Sequence, residues 1–166
     1  SENAPILWWS PDPRSVLYPE EIRVSRSLSK TLRRNRFRVT TDTVFHRVLA
    51  GCAAPRAREQ GTWITRAMQN AYIALHEAGH AHSVECRLDG ELVGGLYGVS
   101  IGRVFFGESM FARVSDASKV AFVWLVRQLQ RRGFRLIDCQ VHTGHLMRLG
   151  ARGIPRAEFT RILAQD

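Results

Sequence analysis

Between residues 104 and 141 the chain runs from an apolar strand through a long amphipathic segment into a second apolar strand, and no other feature restricts the fold as much. Val104, Phe105 and Phe106 mark the first strand. Residues 116 to 132 read as a helix capped by Ser115, with Val120, Val123, Trp124 and Leu129 on its buried side and Gly133 after it. Residues 134 to 141 form the second strand. Two strands joined by a crossover helix pair in parallel, since a tight turn can only reverse the chain.

The flanking segments add strands and helices to this unit. Strands at about 82 to 88 and 91 to 99 are joined by Asp89-Gly90, the two-residue signature of a tight hairpin. Gly94-Gly95 and Gly98 leave gaps along the second strand, which admits either close approach of a ligand or backbone, or a glycine bulge. Residues 27 to 35 read as a basic helix, 36 to 40 as a strand, and 42 to 51 as a helix with Val44, Phe45, Val48 and Leu49 on one side. The Ala-Pro-Arg-Ala-Arg-Glu-Gln-Gly stretch ending at Gly61 reads as a loop. Thr65 caps a helix marked by Met68, Tyr72 and Leu75, and Gly79 stops it. The opening, Trp8-Trp9-Ser10-Pro11-Asp12-Pro13-Arg14, reads as an ordered turn with a short strand pair behind it, and the tail as two short helices, the second opened by Pro155. The expected class is α/β (α+β), one mixed curved sheet flanked by helices, in a single domain over residues 1–166.

Length and composition fit one well-cored domain, 166 residues with 45% hydrophobic content. Lys and Arg total 24 against 15 Asp and Glu, a net charge of +9, which favours a polyanionic partner such as nucleic acid. Arginine predominates, as suits phosphate contacts, and it concentrates in two groups, residues 23 to 38 and 127 to 156. Cys52, Cys86 and Cys139 are far apart and form no C-x-x-C pair, which fits a reducing, cytoplasmic setting. No apolar stretch approaches membrane-spanning length, and the start lacks the regions of a signal peptide.

Four places carry candidate chemistry. On the strand 134 to 141, alternation puts Leu136, Asp138 and Gln140 on one face, so a carboxylate and a carboxamide stand side by side at the end of an apolar run. Burying them demands partners, either as a structural hydrogen-bonded pair or as a reaction site. Glu108, in Gly107-Glu108-Ser109-Met110-Phe111 at the end of an aromatic strand, is either a cation-binding group or an exposed glutamate beside a glycine bend. Trp63, just ahead of a helix, either stacks on a base or packs in the core. His76-Glu77-Ala78-Gly79-His80 matches the H-E-x-x-H zinc pattern, but that site needs both histidines on one helix, and Gly79 ends the helix before His80. Helix-end and turn histidines are the expectation, with no metal.

Ile6-Leu7-Trp8-Trp9-Ser10-Pro11-Asp12-Pro13-Arg14, Glu59-Gln60-Gly61-Thr62-Trp63-Ile64-Thr65, Gly107-Glu108-Ser109-Met110-Phe111 and Leu136-Ile137-Asp138-Cys139-Gln140 together closely resemble the leucyl/phenylalanyl-tRNA–protein transferases, in the family's order and over nearly the whole chain. The resemblance implies a GCN5-related N-acyltransferase-like fold. Phe111-Ala112-Arg113-Val114-Ser115 lacks that superfamily's Q/R-x-x-G-x-G/A loop, which argues against an acetyl-CoA enzyme. The implied reaction moves Leu or Phe from the 3′ end of Leu-tRNA or Phe-tRNA to the α-amino group of a protein beginning with Arg or Lys, and so marks it for degradation. Amine attack on an activated ester calls for no cofactor, only for placement of the reactants and management of one proton. By resemblance, Gln140 accepts a hydrogen bond from the attacking amine, Asp138 polarises or orients Gln140, and Glu108 recognises the acceptor's positive end. Trp63 stacks on the terminal adenine, while Tyr72, Leu96, Phe105 and Ile137 stand near the apolar aminoacyl pocket. The family's N-terminal segment, with a tyrosine and a Phe-Pro-Trp element that complete the pocket, is absent from this chain. Two alternatives are another acyltransferase of the same fold and a non-catalytic tRNA-binding remnant.

Overall fold

The computed structural model describes residues 13–60, 66–140 and 144–165. Its strands are β1 (Arg14–Leu17), β2 (Phe37–Thr41), β3 (Ala81–Leu88), β4 (Glu91–Ile101), β5 (Val104–Ala112), β6 (Leu136–Asp138) and β7 (Arg152–Ile154). The helices are α1 (Arg26–Arg34), α2 (Phe45–Gln60), α3 (Arg66–Glu77), α4 (Ala117–Arg131), α5 (Gly144–Arg148) and α6 (Arg156–Ala164). Asp89 and Gly90 both take left-handed backbone, φ 51° and 82°, which is what a two-residue hairpin turn requires. They join β3 to β4 in antiparallel register from Leu88↔Glu91 to Ala81↔Val99.

Among the described residues the strands form one sheet, ordered β2-β3-β4-β5-β6-β1-β7. The expected parallel pair is β5 with β6, joined by the crossover helix α4; their registered residues are Val104↔Leu136, Phe105↔Ile137 and Phe106↔Asp138. The other pairs are antiparallel.

Alternation divides the core between two faces. Phe105, Ile137, Leu96 and Val84 meet Val120, Val123 and Leu129 of α4, with Leu28 of α1 in the same cluster. On the other face, Val104 and Leu136 meet Phe159 and Ile162 of α6, and Tyr97 and Phe111 meet Phe45, Val48 and Leu49 of α2. Gly98 allows this packing, because a Cβ there would run into the Phe106 carbonyl oxygen and the Phe105 ring.

Five local expectations differ from the structure. The short strand pair read behind the opening is the single strand β1, followed by a 3-10 turn at Pro19–Glu21, and β1 pairs with β6 and β7 instead of a neighbouring strand. The strand read over 134 to 141 is only Leu136–Asp138 long. It ends because the Asp138 carboxylate accepts the backbone N–H of Gln140 at 3.1 Å, a local bond that competes with strand pairing and leaves Gln140 left-handed at φ 54°. Helix α4 is preceded by Asp116 rather than by a Ser115 cap; Asp116 has φ 70° and makes no side-chain cap bond. Its carboxylate instead accepts the Thr31 hydroxyl of α1 at 3.3 Å. The segment from Ala54 read as a loop continues α2 to Gln60. Pro55 forfeits one helical hydrogen bond, yet its fixed φ is helical, and the neighbouring alanines favour the helix. Strand β7 follows from its pairing with β1, Ser15↔Gly153, and has no local signature. The Trp8-Trp9 turn and the Thr65 cap lie outside the described residues.

Candidate active site

Past Phe106 and Asp138 the parallel strands part: β5 continues to Ala112, while the chain leaves β6. Such a parting at the carboxyl ends of parallel strands opens a crevice, the usual ligand position in sheets of this kind. Glu108 faces it for a specific reason. The register along β4 and β5 runs Tyr97↔Ser109 and then Gly98↔Gly107, so Glu108 is the extra, unpaired residue of a β-bulge. A bulge re-aims the side chain it carries, which the sequence reading of a glycine bend did not anticipate.

The Glu108 carboxylate is held from both sides. The Tyr72 hydroxyl of α3 donates to one oxygen, and the Gln140 side-chain amide donates to the other. A carboxylate only accepts, so Gln140 must present its NH₂ to Glu108 and turn its Oε1 away. Asp138 and Gln140 do not share a strand face: Asp138 is fully buried, whereas Gln140 is exposed and left-handed. Asp138 forms a buried ion pair with Arg14 of β1 through one oxygen, and with the other accepts the Gln140 backbone N–H. Burial pushes its carboxyl above the ordinary value, opposed by the Arg14 guanidinium and the Gln140 N–H.

A cavity of about 350 Å³ occupies the crevice. Leu96, Phe105 and Ile137 form its apolar wall, joined by Phe122 and Leu125 of α4, and Glu108 stands on its lining. A second hollow of about 100 Å³ takes Tyr72, Glu108 and Gln140 into its lining and shares Tyr97, Glu108 and Ser109 with the first. Tyr72 therefore borders the smaller hollow, not the large apolar cavity. Trp63 lies outside the described residues. Arg14, Cys139 and His145 are site residues that were not singled out from the sequence. Burial pushes the Cys139 thiol up to about 12, with Asp138 adding to the effect, and burial together with Lys119 and Arg148 lowers His145. The sequence signals for Arg14 are its place at the end of the family-like Ile6–Arg14 stretch and the demand of a buried Asp138 for a partner.

The H-E-x-x-H stretch is used structurally. Helix α3 ends at Glu77, and Gly79 takes φ 87°. The His76 ring stacks on Phe45 with centroids 4.2 Å apart, and its Nδ1 lies 2.9 Å from the Ala81 carbonyl oxygen. His82 Nδ1 lies 2.9 Å from the Asp42 carboxylate. Among the described residues no group of three His, Cys, Asp or Glu side chains is placed to hold a metal ion.

The family profile described as leucyl/phenylalanyl-tRNA protein transferase matches residues 16–164 of this chain. The chain belongs to that family. It is 62% identical to the leucyl/phenylalanyl-tRNA–protein transferase of Nitrosospira multiformis over 165 residues, 99% of this chain and 71% of that protein. Against the transferase of Stutzerimonas stutzeri the identity is 60% over 163 residues, 98% of this chain and 72% of that protein. As a member of the leucyl/phenylalanyl-tRNA–protein transferases it is an aminoacyltransferase, with aminoacyl-tRNA and protein as substrates. Among solved structures, an aminoglycoside acetyltransferase from an uncultured soil metagenomic sample superposes with a TM-score of 0.54 at 11% identity, over 78% of this chain and 88% of that one. A conserved protein of unknown function from Bacteroides thetaiotaomicron gives 0.58 at 14% identity, over 83% of this chain and 54% of that one. The chain thus shares the fold of an acetyltransferase, a mixed α/β sheet flanked by helices as expected from the sequence. No helix among the described residues is long and apolar enough to cross a membrane.

Proposed function

We propose that this chain transfers Leu or Phe from the 3′ end of aminoacyl-tRNA to the α-amino group of proteins that begin with Arg or Lys, marking them for degradation in the cytoplasm. The observation that carries this reading is the apolar cavity of about 350 Å³ with Glu108 on its lining, a carboxylate that Gln140 holds from the adjoining smaller hollow. Its size lies at the lower end of the roughly 300–1,000 Å³ range of small-molecule sites. An apolar wall of Leu96, Phe105 and Ile137 suits a leucyl or phenylalanyl side chain and needs no polar readout.

Gln140 turns its amide oxygen away from Glu108, so that oxygen can accept an N–H of the attacking amine. An α-amino group has a pKa of about 7.7–8.0, so a useful fraction is neutral near pH 7 and a polarised amide can suffice. Glu108 uses two of its acceptor sites on Tyr72 and Gln140 and keeps others for the cationic end of the acceptor. Asp138 orients Gln140 through the turn it caps. Trp63 is assigned to the terminal adenine by family resemblance alone.

The test is transfer of labelled Leu and Phe from charged tRNA to peptides beginning with Arg, Lys or Ala, beside a reaction offering acetyl-CoA. Transfer to the Arg and Lys peptides is expected. Use of acetyl-CoA would favour a different acyltransferase, and tRNA binding without transfer a non-catalytic RNA-binding role.

A further inference from the structure

Arg14 lies 124 residues before Asp138 in the chain and in direct contact with it. Strand β1 runs antiparallel to β6 with Val16 opposite Asp138, and Cys139 donates its N–H to the Ser15 carbonyl at 2.8 Å. Arg14 shares a face with Val16 and so stands diagonal to Asp138, within reach of a long side chain. Its guanidinium also sits 4.4 Å from the centre of the Phe159 ring of α6, and the residue is only 7% exposed. The cation is thus anchored between a ring and a carboxylate. Beyond Asp138, each link is a single bond: Asp138 to the Gln140 backbone N–H, and the Gln140 amide to Glu108. Asp138 thus meets Gln140 at its backbone. Gln140 holds a left-handed conformation that non-glycine residues adopt only with support.

We propose that Arg14 is a positioning residue of the transfer site: it fixes the Asp138 carboxylate so that Asp138 holds Gln140 in the left-handed turn that aims its amide at Glu108. This rests on the proposed roles of Gln140 and Glu108. The charged and titratable groups around Asp138 are Arg14 from β1, the adjoining Cys139 thiol, and Glu108 from β5, reached through Gln140.

The experiment compares wild type, Arg14→Met, Arg14→Lys, Asp138→Asn and the Arg14→Met/Asp138→Asn double variant by two readouts. In ¹⁵N-labelled protein, Arg14→Met and Arg14→Lys should shift the Gln140 backbone N–H resonance and speed its hydrogen exchange, Lys less than Met. In the transfer assay, Arg14→Met should lower kcat about 100-fold, as misplacement of a reacting group by about 1 Å does. KM for aminoacyl-tRNA should stay within about twofold, because the cavity wall is untouched. In the Asp138→Asn background, Arg14→Met should add little. If Arg14→Met does not fold, Arg14→Lys and Asp138→Asn carry the same comparisons. An unchanged Gln140 N–H in a folded Arg14 variant, or an equal further loss in the Asp138→Asn background, overturns the proposal. If the N–H changes occur but wild type transfers no amino acid, the functional reading fails and the positioning device stands.

Discussion

The Gln140 amide donates to the Glu108 carboxylate across the point where β5 and β6 part, joining a left-handed turn residue to the unpaired residue of a bulge. Neither residue belongs to a regular strand position at that point. Their meeting ties a carboxylate on the lining of the apolar cavity to an amide in the adjoining smaller hollow, and its consequences are measurable.

Gln140→Ala should lower kcat for transfer about 100-fold, within the usual range for loss of a group that handles a proton, while KM for the aminoacyl donor changes little. Gln140→Glu should be as severe at neutral pH, because two carboxylates would face each other. Steady-state kinetics with an Arg-starting peptide checks both. Wild-type rates in either variant would remove Gln140 from the reaction.

Phe105→Ala should destabilise the protein by about 3–5 kcal/mol, since it empties a fully packed position on the cavity wall. It should also weaken discrimination between Leu and larger aminoacyl groups. Gly98→Ala acts on the same ring from behind and should cost about 1–3 kcal/mol through overpacking. Urea unfolding and competition between charged tRNAs test these effects together.

The raised pKa of Asp138 gives a pH dependence of definite sign. A carboxyl whose native pKa exceeds its unfolded value contributes stability fully below the unfolded value, about 3.9, and loses that contribution as pH climbs through the native one. Asp138→Asn should therefore flatten the stability profile in the window that opens near pH 4. Arg14→Met, which leaves the carboxylate without its cation, should widen that window and cost about 3–5 kcal/mol at neutral pH. Denaturant titrations from pH 3.5 to 7 decide the matter; parallel profiles for wild type and Asp138→Asn would contradict it.

Cys139 lines the cavity, yet burial pushes its thiol up to about 12, and that of Cys86 up to about 11. At pH 8 only about one Cys139 in 10⁴ is a thiolate, the reactive form. Native protein should resist alkylation at Cys139 over hours, and unfolded protein should react at once. Rapid native-state labelling of Cys139, located by mass spectrometry, would refute this.

Binding of tRNA should weaken steeply with salt. Arg26, Lys30, Arg33 and Arg34 of α1 and Arg127 and Arg131 of α4 are exposed on helices that pack in one layer. Each phosphate contact contributes roughly 0.7–0.9 to the slope of log K against log salt. Replacing Arg33 and Arg34 by Ala should reduce the slope without altering the choice of amino acid. A flat salt response would rule out a phosphate-contacting face.

Much of the fold was legible locally. The Asp89-Gly90 hairpin, the amphipathic span of α4, the stop at Gly79 and the parallel return into β6 each follow from turn chemistry or side-chain period, which a few neighbouring residues determine. The same locality set the limits. Periodicity placed Asp138 and Gln140 on one strand face, but a single side-chain bond to backbone ended the strand between them. Pro55 read as a break, yet its fixed φ is helical and the helix runs past it.

By itself, then, the sequence determined most of the elements and their order, the family resemblance and the candidates Glu108, Asp138 and Gln140. Only the tertiary structure decided how those candidates work together. Arg14 reaches Asp138, Glu108 escapes its strand in a bulge, and the cavity opens where two paired strands diverge. Each depends on the register of a whole sheet and on contacts between distant segments, and these no local pattern encodes.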